Sequence, residues 1–208
     1  MAKQKFYVVW RGRKTGVFTT WTECSAQVTG FNGAEYKSFE NREAADAAFQ
    51  AAYEEYKGKR VPTISPAMLE IIGKPIEESY CVDASCIGSP GPMEYQCVHT
   101  TTRQPIFRQG PFENGTNNVG EFLAIVHALA LFKRRHITAP IYTDSETAIA
   151  WVRNKKCKTK LPQDEKNVPI FGLITRAEDW LNENEYSNDV FKWDTNAWGE
   201  IPADYGRK

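Results

Sequence analysis

Residues 79–88, SYCVDASCIG, set a carboxylate, Asp83, inside an apolar strand that runs into a turn. This constrains the fold more than any other feature of the chain. An ionised carboxylate leaves water only when it is paired or bound to a cation. A fold that covers this strand must therefore bring a partner to Asp83. Three further acids stand where they could share one. Glu121 lies in the first turn of a long helix, NVGEFLAIVHALALFKRRH, whose Glu121, Ala124, Ile125, Ala128 and Leu131/Phe132 recur at helical spacing. Asp144 ends the short buried strand PIYTD, and Asp204 sits near the end of the chain. If the four converge, their repulsion demands a cation. Four carboxylates formally balance two divalent ions, which at a separation of about 4 Å can hold the attacking water and leaving oxygen of a phosphodiester. Each acid also has a plainer reading. Asp144 could cap the helix that follows, Glu121 could complement the helix dipole, and Asp204 could be an exposed tail acid. Asp83 is the hardest to explain that way.

The pattern around these acids is that of a mixed sheet. SYCVDASCIG, EYQCVHTTT and PIFRQG read as an antiparallel meander, followed by the long helix, the strand PIYTDS, the helices ETAIAWVRNK and VPIFGLITRAEDWLNEN, and a last strand, DVFKWD. Five strands interleaved with helices predict an α/β fold with helices on the sheet faces. Ahead of it lies a small α+β module. FYVVW, VFTT and EYKSF are strands, Thr20 opens a helix with Glu23 as its capping-box partner, and Asn41 caps a second helix extending to about Lys57-Gly58. Residues 57–75 hold three prolines and two glycines without periodicity and read as a linker; as a flexible coil it spans about 25 Å. The expected division is 1–56, 57–75 and 76–208.

Composition narrows the class. No apolar run approaches membrane-spanning length and the N-terminus carries no signal-peptide pattern, so neither a membrane nor secretion is expected. The five cysteines, Cys24, Cys81, Cys86, Cys97 and Cys157, have the irregular spacing of reduced cytoplasmic thiols. Net charge is zero, but residues 1–60 hold 10 Lys/Arg against 7 Asp/Glu while residues 61–208 hold 16 against 19. A basic head on an acidic body fits a polyanion binder joined to a cation-binding domain, though charge alone does not separate this from ordinary fluctuation.

The segments VDASCIGSPGPMEY, GTNNVGEFLAIVHAL, IYTDSETAIAWV and KWDTNAWGEIPADYGRK resemble, in order, four motifs of type 1 ribonuclease H. FYVVWRGRKTGVFTTWTECSAQV and EYKSF resemble the viroplasmin-like hybrid-binding domain that precedes many such enzymes. The resemblance implies a ribonuclease H-like five-stranded mixed sheet that cuts the RNA strand of RNA–DNA hybrids, with two Mg²⁺ ions for which Mn²⁺ could substitute. It implies that Asp83, Glu121, Asp144 and Asp204 are the metal ligands, Asp83 being shared, and that the products carry 5′-phosphate and 3′-hydroxyl ends. Ser85, Cys86, Gly88 and Ser89 match a turn that meets RNA 2′-hydroxyls. Asn117 and Asn118 match a pair touching the hybrid, and Thr116, Asn118 and Thr159 a pocket for a DNA phosphate. In the head, Trp21 and Tyr36 match aromatics that pack on deoxyriboses, and Lys37 a phosphate contact.

The chain departs from the pattern at several points. Asp194 stands where many members carry a histidine ten residues before the last aspartate, as in a bacterial subgroup in which a glutamate takes a comparable place; Glu200 fits it and is a candidate catalytic residue, or else a surface acid in a loop. Glu146 replaces a glutamine that often contacts nucleic acid, Ser38 a second lysine and Trp10 an arginine. Arg153, Lys155, Lys156, Lys158 and Lys160 form either a phosphate patch or a solvated helix end. The rival functions are a hybrid-binding protein without catalysis, which the four acids argue against, and a module of a larger polymerase or viral inclusion protein. No obligate protein partner is implied.

Overall fold

The computed structural model describes residues 4–57 and 66–206. By Cα proximity the chain divides into two units, Met1–Lys74 with Asp194–Gly199, and Pro75–Trp193 with Glu200–Lys208.

In the first unit β1 (Phe6–Arg11) lies between β2 (Gly16–Phe18) and β3 (Glu35–Phe39), antiparallel to both. Val8 and Val9 are adjacent on β1 and both fully buried. Successive strand side chains point to opposite faces, so each face needs its own cover. α1 (Trp21–Val28) covers Val9 with Cys24 and Val28, and α2 (Arg42–Gln50) covers Val8 with Ala45 and Ala48. The expected capping box is present: Thr20 Oγ1 accepts the Glu23 N–H, and the Glu23 carboxylate accepts the Thr20 N–H. Asn41 caps α2 by accepting the Ala44 N–H.

Two segments depart from the sequence pattern. α2 ends at Gln50, well short of Lys57. The Trp10 indole N–H donates to the carbonyls of Ala48 and Ala51, at 3.1 and 2.9 Å. It thereby terminates the helix from outside, and the chain continues through a 3-10 turn at Tyr53–Glu55, with the Tyr53 and Tyr56 rings against Trp10. The linker is not wholly coil either. Residues 58–65 lie outside the described residues, but Pro66–Ile72 form α3. Proline suits a first helical position and the segment AMLEII is mostly made of residues that helices accept readily. α7 (Thr195–Trp198) groups with this unit. Asp194 caps it by accepting the N–H groups of Asn196 and Ala197, and the Trp198 indole donates to the Gly73 carbonyl at 2.8 Å.

The second unit is a five-stranded mixed sheet in the order β6-β5-β4-β7-β8. β4 (Tyr80–Cys86), β5 (Gly91–His99) and β6 (Pro105–Gly115) form the expected antiparallel meander. β7 (Ile141–Thr143) runs parallel to β4, and β8 (Val190–Lys192) parallel to β7. Helices α4 (Asn117–Arg135), α5 (Glu146–Arg153) and α6 (Val168–Glu183) follow the sequence pattern closely. One core face joins Val82, Ala84, Met93, Tyr95 and Cys97 of the sheet to Phe122, Ile125, Leu129 and Phe132 of α4. By alternation Asp83 stands on the opposite face from Val82 and Ala84. No helix among the described residues is long and apolar enough to cross a membrane.

Gly120 sets how closely α4 approaches β4. A Cβ built there would lie 2.6 Å from the Ala84 Cβ and 3.1 Å from the Met93 Cγ. Only a residue without a side chain permits this approach, and Glu121 follows it directly, one turn inside α4 rather than in its first turn. Gly120→Ala is expected to destabilise the protein by about 1–3 kcal/mol, as overpacking of a filled core does. Chemical denaturation, with the urea midpoint as readout, checks it; an unchanged midpoint would mean the two elements can separate at no cost.

Candidate active site

Three of the four expected carboxylates meet. Asp83 from the middle of β4, Glu121 from α4 and Asp144 just beyond β7 present oxygen atoms that all lie within 4.8 Å of one another. Asp83 and Glu121 are buried, at 7% and 6% exposure. Parallel pairing of β4 with β7 and the close seat of α4 on β4 bring them together. The plainer reading of Asp144 as a helix cap falls away, because Ser145 is the cap of α5 and accepts the Ala148 N–H. Asp204 is exposed and lies outside the mutual 4.8 Å set, yet it is near enough for its charge to act on Asp83 and Asp144.

The electrostatics follow from this crowding. Burial, together with the charge of Asp144 and then of Glu121 and Asp204, pushes Asp83 up to about 8, against a backbone hydrogen bond that pulls it down. Burial also raises Glu121, opposed by hydrogen bonds from Ser145 and Asn117; the Asn117 amide donates to Glu121 Oε1 at 2.9 Å. Asp144 is raised by burial and by the charges of Asp204 and Glu200, and lowered by Lys192. Lys192, whose ammonium also donates to the Trp193 carbonyl at 2.9 Å, is thus a member of this site that sequence reasoning missed. Nothing in KWD distinguishes it from a surface lysine; only the parallel pairing of β8 with β7 places it here. A buried set of hard oxygen donors with mutually raised pKa values fits a hard divalent cation such as Mg²⁺ or Mn²⁺.

A cleft of about 430 Å³ is lined by Ser89, Thr116, Asn118, Lys158, Thr159 and Lys160, among others. It unites the three residues matched to a phosphate pocket and adds two lysines of the basic run. Lys156 instead pairs with Glu178, and Arg153 lines a separate cleft with Glu146, the first residue of α5. Ser85 and Cys86 end β4, and Gly88, at φ +96°, makes the turn that leads to Ser89. The Cys86 thiol points to the carbonyls of Gly91 and Gly115, at 3.5 and 3.3 Å, so its side chain serves the turn itself.

In the first unit Trp21 and Tyr36 are exposed with ring centroids 5.9 Å apart, and Tyr7 packs on Trp21 at 5.5 Å. The motifs of the sequence do not mark Tyr7, although it lies two residues from Val9 and so on the same strand face. Lys37 is not brought to this pair: it alternates to the other face of β3, where its ammonium donates to the Tyr56 carbonyl at 2.6 Å and burial lowers its pKa.

Both units have counterparts among known proteins. The family model described as RNase H matches residues 77–193, and the one described as Ribonuclease H1 N-terminal domain matches residues 5–49. Ribonuclease H of Schizosaccharomyces pombe is 24% identical over 259 residues, covering 97% of this chain and 95% of that protein. Ribonuclease H1 of Homo sapiens is 58% identical over 40 residues, covering 19% of this chain and only 14% of its own. A solved ribonuclease H1 isolated from compost overlays with a TM-score of 0.37 at 18% identity, covering 57% of this chain and 85% of its own.

A pH dependence of stability follows. Asp83 is raised in the folded state above its ordinary range, so its contribution is fully present below about pH 4 and is lost as pH rises toward about 8. In chelator the melting temperature is expected to fall between pH 5 and pH 8, and millimolar Mg²⁺ at pH 8 to restore it. Thermal melts at the two pH values, with and without the ion, test this. A chelated protein that is as stable at pH 8 as at pH 5, with no response to Mg²⁺, would contradict the crowding of the three acids.

Proposed function

The chain belongs to the ribonuclease H family, and from that membership we propose that it is an endoribonuclease hydrolysing the RNA strand of RNA–DNA hybrids, with 5′-phosphate and 3′-hydroxyl products. The observation that carries the reading is the buried triad Asp83, Glu121 and Asp144, whose oxygens lie within 4.8 Å of one another. Joined by Asp204, these residues would hold two divalent ions, Mg²⁺ or in its place Mn²⁺, with Asp83 shared. Such ions, when bound, make a coordinated water more acidic and offset charge developing on phosphodiester oxygens.

The chain's own groups do the rest. Asn117 fixes the Glu121 carboxylate, and Lys192 offsets part of the charge around Glu121 and Asp144. Glu200, whose charge reaches Asp144, is a candidate for moving a proton or assisting product release. Asp194, at the place of the missing histidine, instead caps α7, which supports membership of the bacterial subgroup without that histidine.

Substrate choice rests on shape. Ser85, Cys86, Gly88 and Ser89 offer small side chains and backbone to the RNA 2′-hydroxyls, the feature that distinguishes RNA from DNA, and Asn117 and Asn118 touch the hybrid beside them. Thr116, Asn118 and Thr159, with Lys158 and Lys160, receive a phosphate of the DNA strand. Phosphate contacts fix position without reading sequence, so little sequence preference is expected. Residues 1–56 form the hybrid-binding domain, 57–75 the connection and 76–208 the catalytic domain. In the first of these Trp21 and Tyr36 take deoxyriboses, and Lys37 could reach a phosphate only by leaving the Tyr56 carbonyl. The five free thiols support a cytoplasmic location.

Two experiments test the reading. Asp83→Asn should abolish cleavage of a labelled hybrid in Mg²⁺ and leave hybrid binding within about twofold, since it removes charge from the site and no phosphate contact; near wild-type cleavage by this variant would displace the metal site from these residues. Deleting residues 1–57 should leave an active nuclease with weaker hybrid affinity, because a second hold on one ligand acts through effective concentration. Trp21→Ala should reproduce much of that loss. Equal affinity and equal products per encounter with and without the head would restrict its resemblance to fold.

A further inference from the structure

Asp83 and Glu121 lie within β4 and α4 and Asp144 directly follows β7, whereas Asp204 adjoins no strand or helix, so something else must hold it. The turn around it is locally shaped: the Asp204 N–H donates to the Ile201 carbonyl at 2.8 Å, and the Gly206 N–H donates to Asp204 Oδ2 at 3.0 Å. Those bonds give the turn its form but do not attach it to the sheet. The attachment comes from β5 and β6. The Gln96 side-chain amide donates to the Ala203 carbonyl at 2.6 Å, across 107 residues of chain. On the other side of Asp204, the Arg108 guanidinium lies 5.0 Å from the centre of the Tyr205 ring, and it is held from behind by an ion pair with Glu94. Ile201 and Ala203 are buried, at 3% and 0% exposure, so the segment is seated against the protein up to the residue before Asp204.

The strand register connects these contacts to the triad. Asp83 on β4 is the direct partner of Gln96 on β5, and Gln96 is the direct partner of Arg108 on β6. Cross-strand partners project to the same face of a sheet. Asp83, Gln96 and Arg108 therefore form one row across three strands, and Glu94, two residues from Gln96, stands on the same face. The row that carries the central acid also carries both groups that fasten the residues flanking the last one.

We propose that Gln96 and Arg108 are positioning residues of the metal site, which hold the Ala203 carbonyl and the Tyr205 ring on either side of Asp204 and thereby set its carboxylate beside Asp83. The inference rests on the reading of Asp204 as the fourth ligand. It accounts for how a carboxylate outside regular structure reaches a site built otherwise from β4, α4 and the end of β7. It also makes the site's geometry depend on two side chains that need touch neither ion nor nucleic acid.

The test uses the full chain with Gln96→Met, which keeps length and loses the donor, and Tyr205→Ala, which removes the ring and lies in the terminal segment, where it leaves the core intact. Gln96→Asn, which retains an uncharged amide donor, serves as the conservative comparison. Amide hydrogen exchange by mass spectrometry over residues 201–206 reads the anchoring without reference to activity. Mn²⁺ titration calorimetry reads the ligand set. Loss of one such bond should raise exchange of this segment and weaken Mn²⁺ binding by roughly five- to tenfold. The Mg²⁺ needed for half-maximal cleavage should rise in parallel, with KM for the hybrid unchanged and Gln96→Asn closer to the unsubstituted protein. Cleavage by the unsubstituted protein, together with unaltered exchange and Mn²⁺ affinity in both loss variants, overturns the anchoring role alone. Failure of the unsubstituted protein to cleave hybrids in Mg²⁺ overturns the ribonuclease reading instead.

Discussion

The burial of Asp83 in the central strand of the sheet is the constraint on which the rest of the second unit depends. A carboxylate there is tolerable only with a cation or a proton, and the protein surrounds it with more carboxylates rather than with basic side chains that would cancel it. That choice makes the folded state poorer by itself and better in the presence of a divalent ion. The core opposite bears the load. Phe122, Ile125, Leu129 and Phe132 of α4 lie against Val82, Ala84 and Met93 of the sheet, and burial of this apolar surface is what lets the charged face persist. Gly120 belongs to both accounts, since it sets the packing distance and, through it, the position of Glu121.

How much of this was legible in the sequence depends on the range of the interaction. Features set by residues a few positions apart were legible: the Thr20–Glu23 capping box, the Asn41 cap, the amphipathic stripe of α4 and the alternation of the meander. Features set by distant partners were not. α2 stops early because an indole 38 to 41 residues upstream occupies its last carbonyls, and no local pattern marks Trp10 as a helix terminator. The helix in the linker is hard to read for the opposite reason: prolines and glycines on either side outweigh a short run of favourable residues, AMLEII.

The site divides along the same line. Asp83 declared itself by being out of place on an apolar strand. Glu121 and Asp144 had ordinary explanations at their own positions, and only the β4–β7 pairing and the seat of α4 remove them. Lys192 carried no signal, because its relevance comes from β8 lying beside β7. Lys37 shows the converse. A motif placed it next to Tyr36 in sequence, and strand alternation sends the two side chains to opposite faces.

This contrast bears on how the two units would share one substrate. In the first, the exposed surface that resembles a hybrid-binding face is aromatic, with Trp21 and Tyr36 backed by Tyr7, and the nearby lysine is engaged with backbone. Flat rings take a sugar that lacks a 2′-hydroxyl and are indifferent to salt, so this face would supply strand discrimination more than charge. In the second, Lys158 and Lys160 line the cleft with Thr116, Asn118 and Thr159, which gives charge where a phosphate would have to be fixed to align the scissile bond. On the proposed reading the electrostatic share of binding would fall mainly on the unit that also carries the acids. There the lysine-lined cleft and the acidic triad would act at different points along the nucleic acid, one holding the DNA strand and the other, once its charge is met by cations, facing the RNA strand.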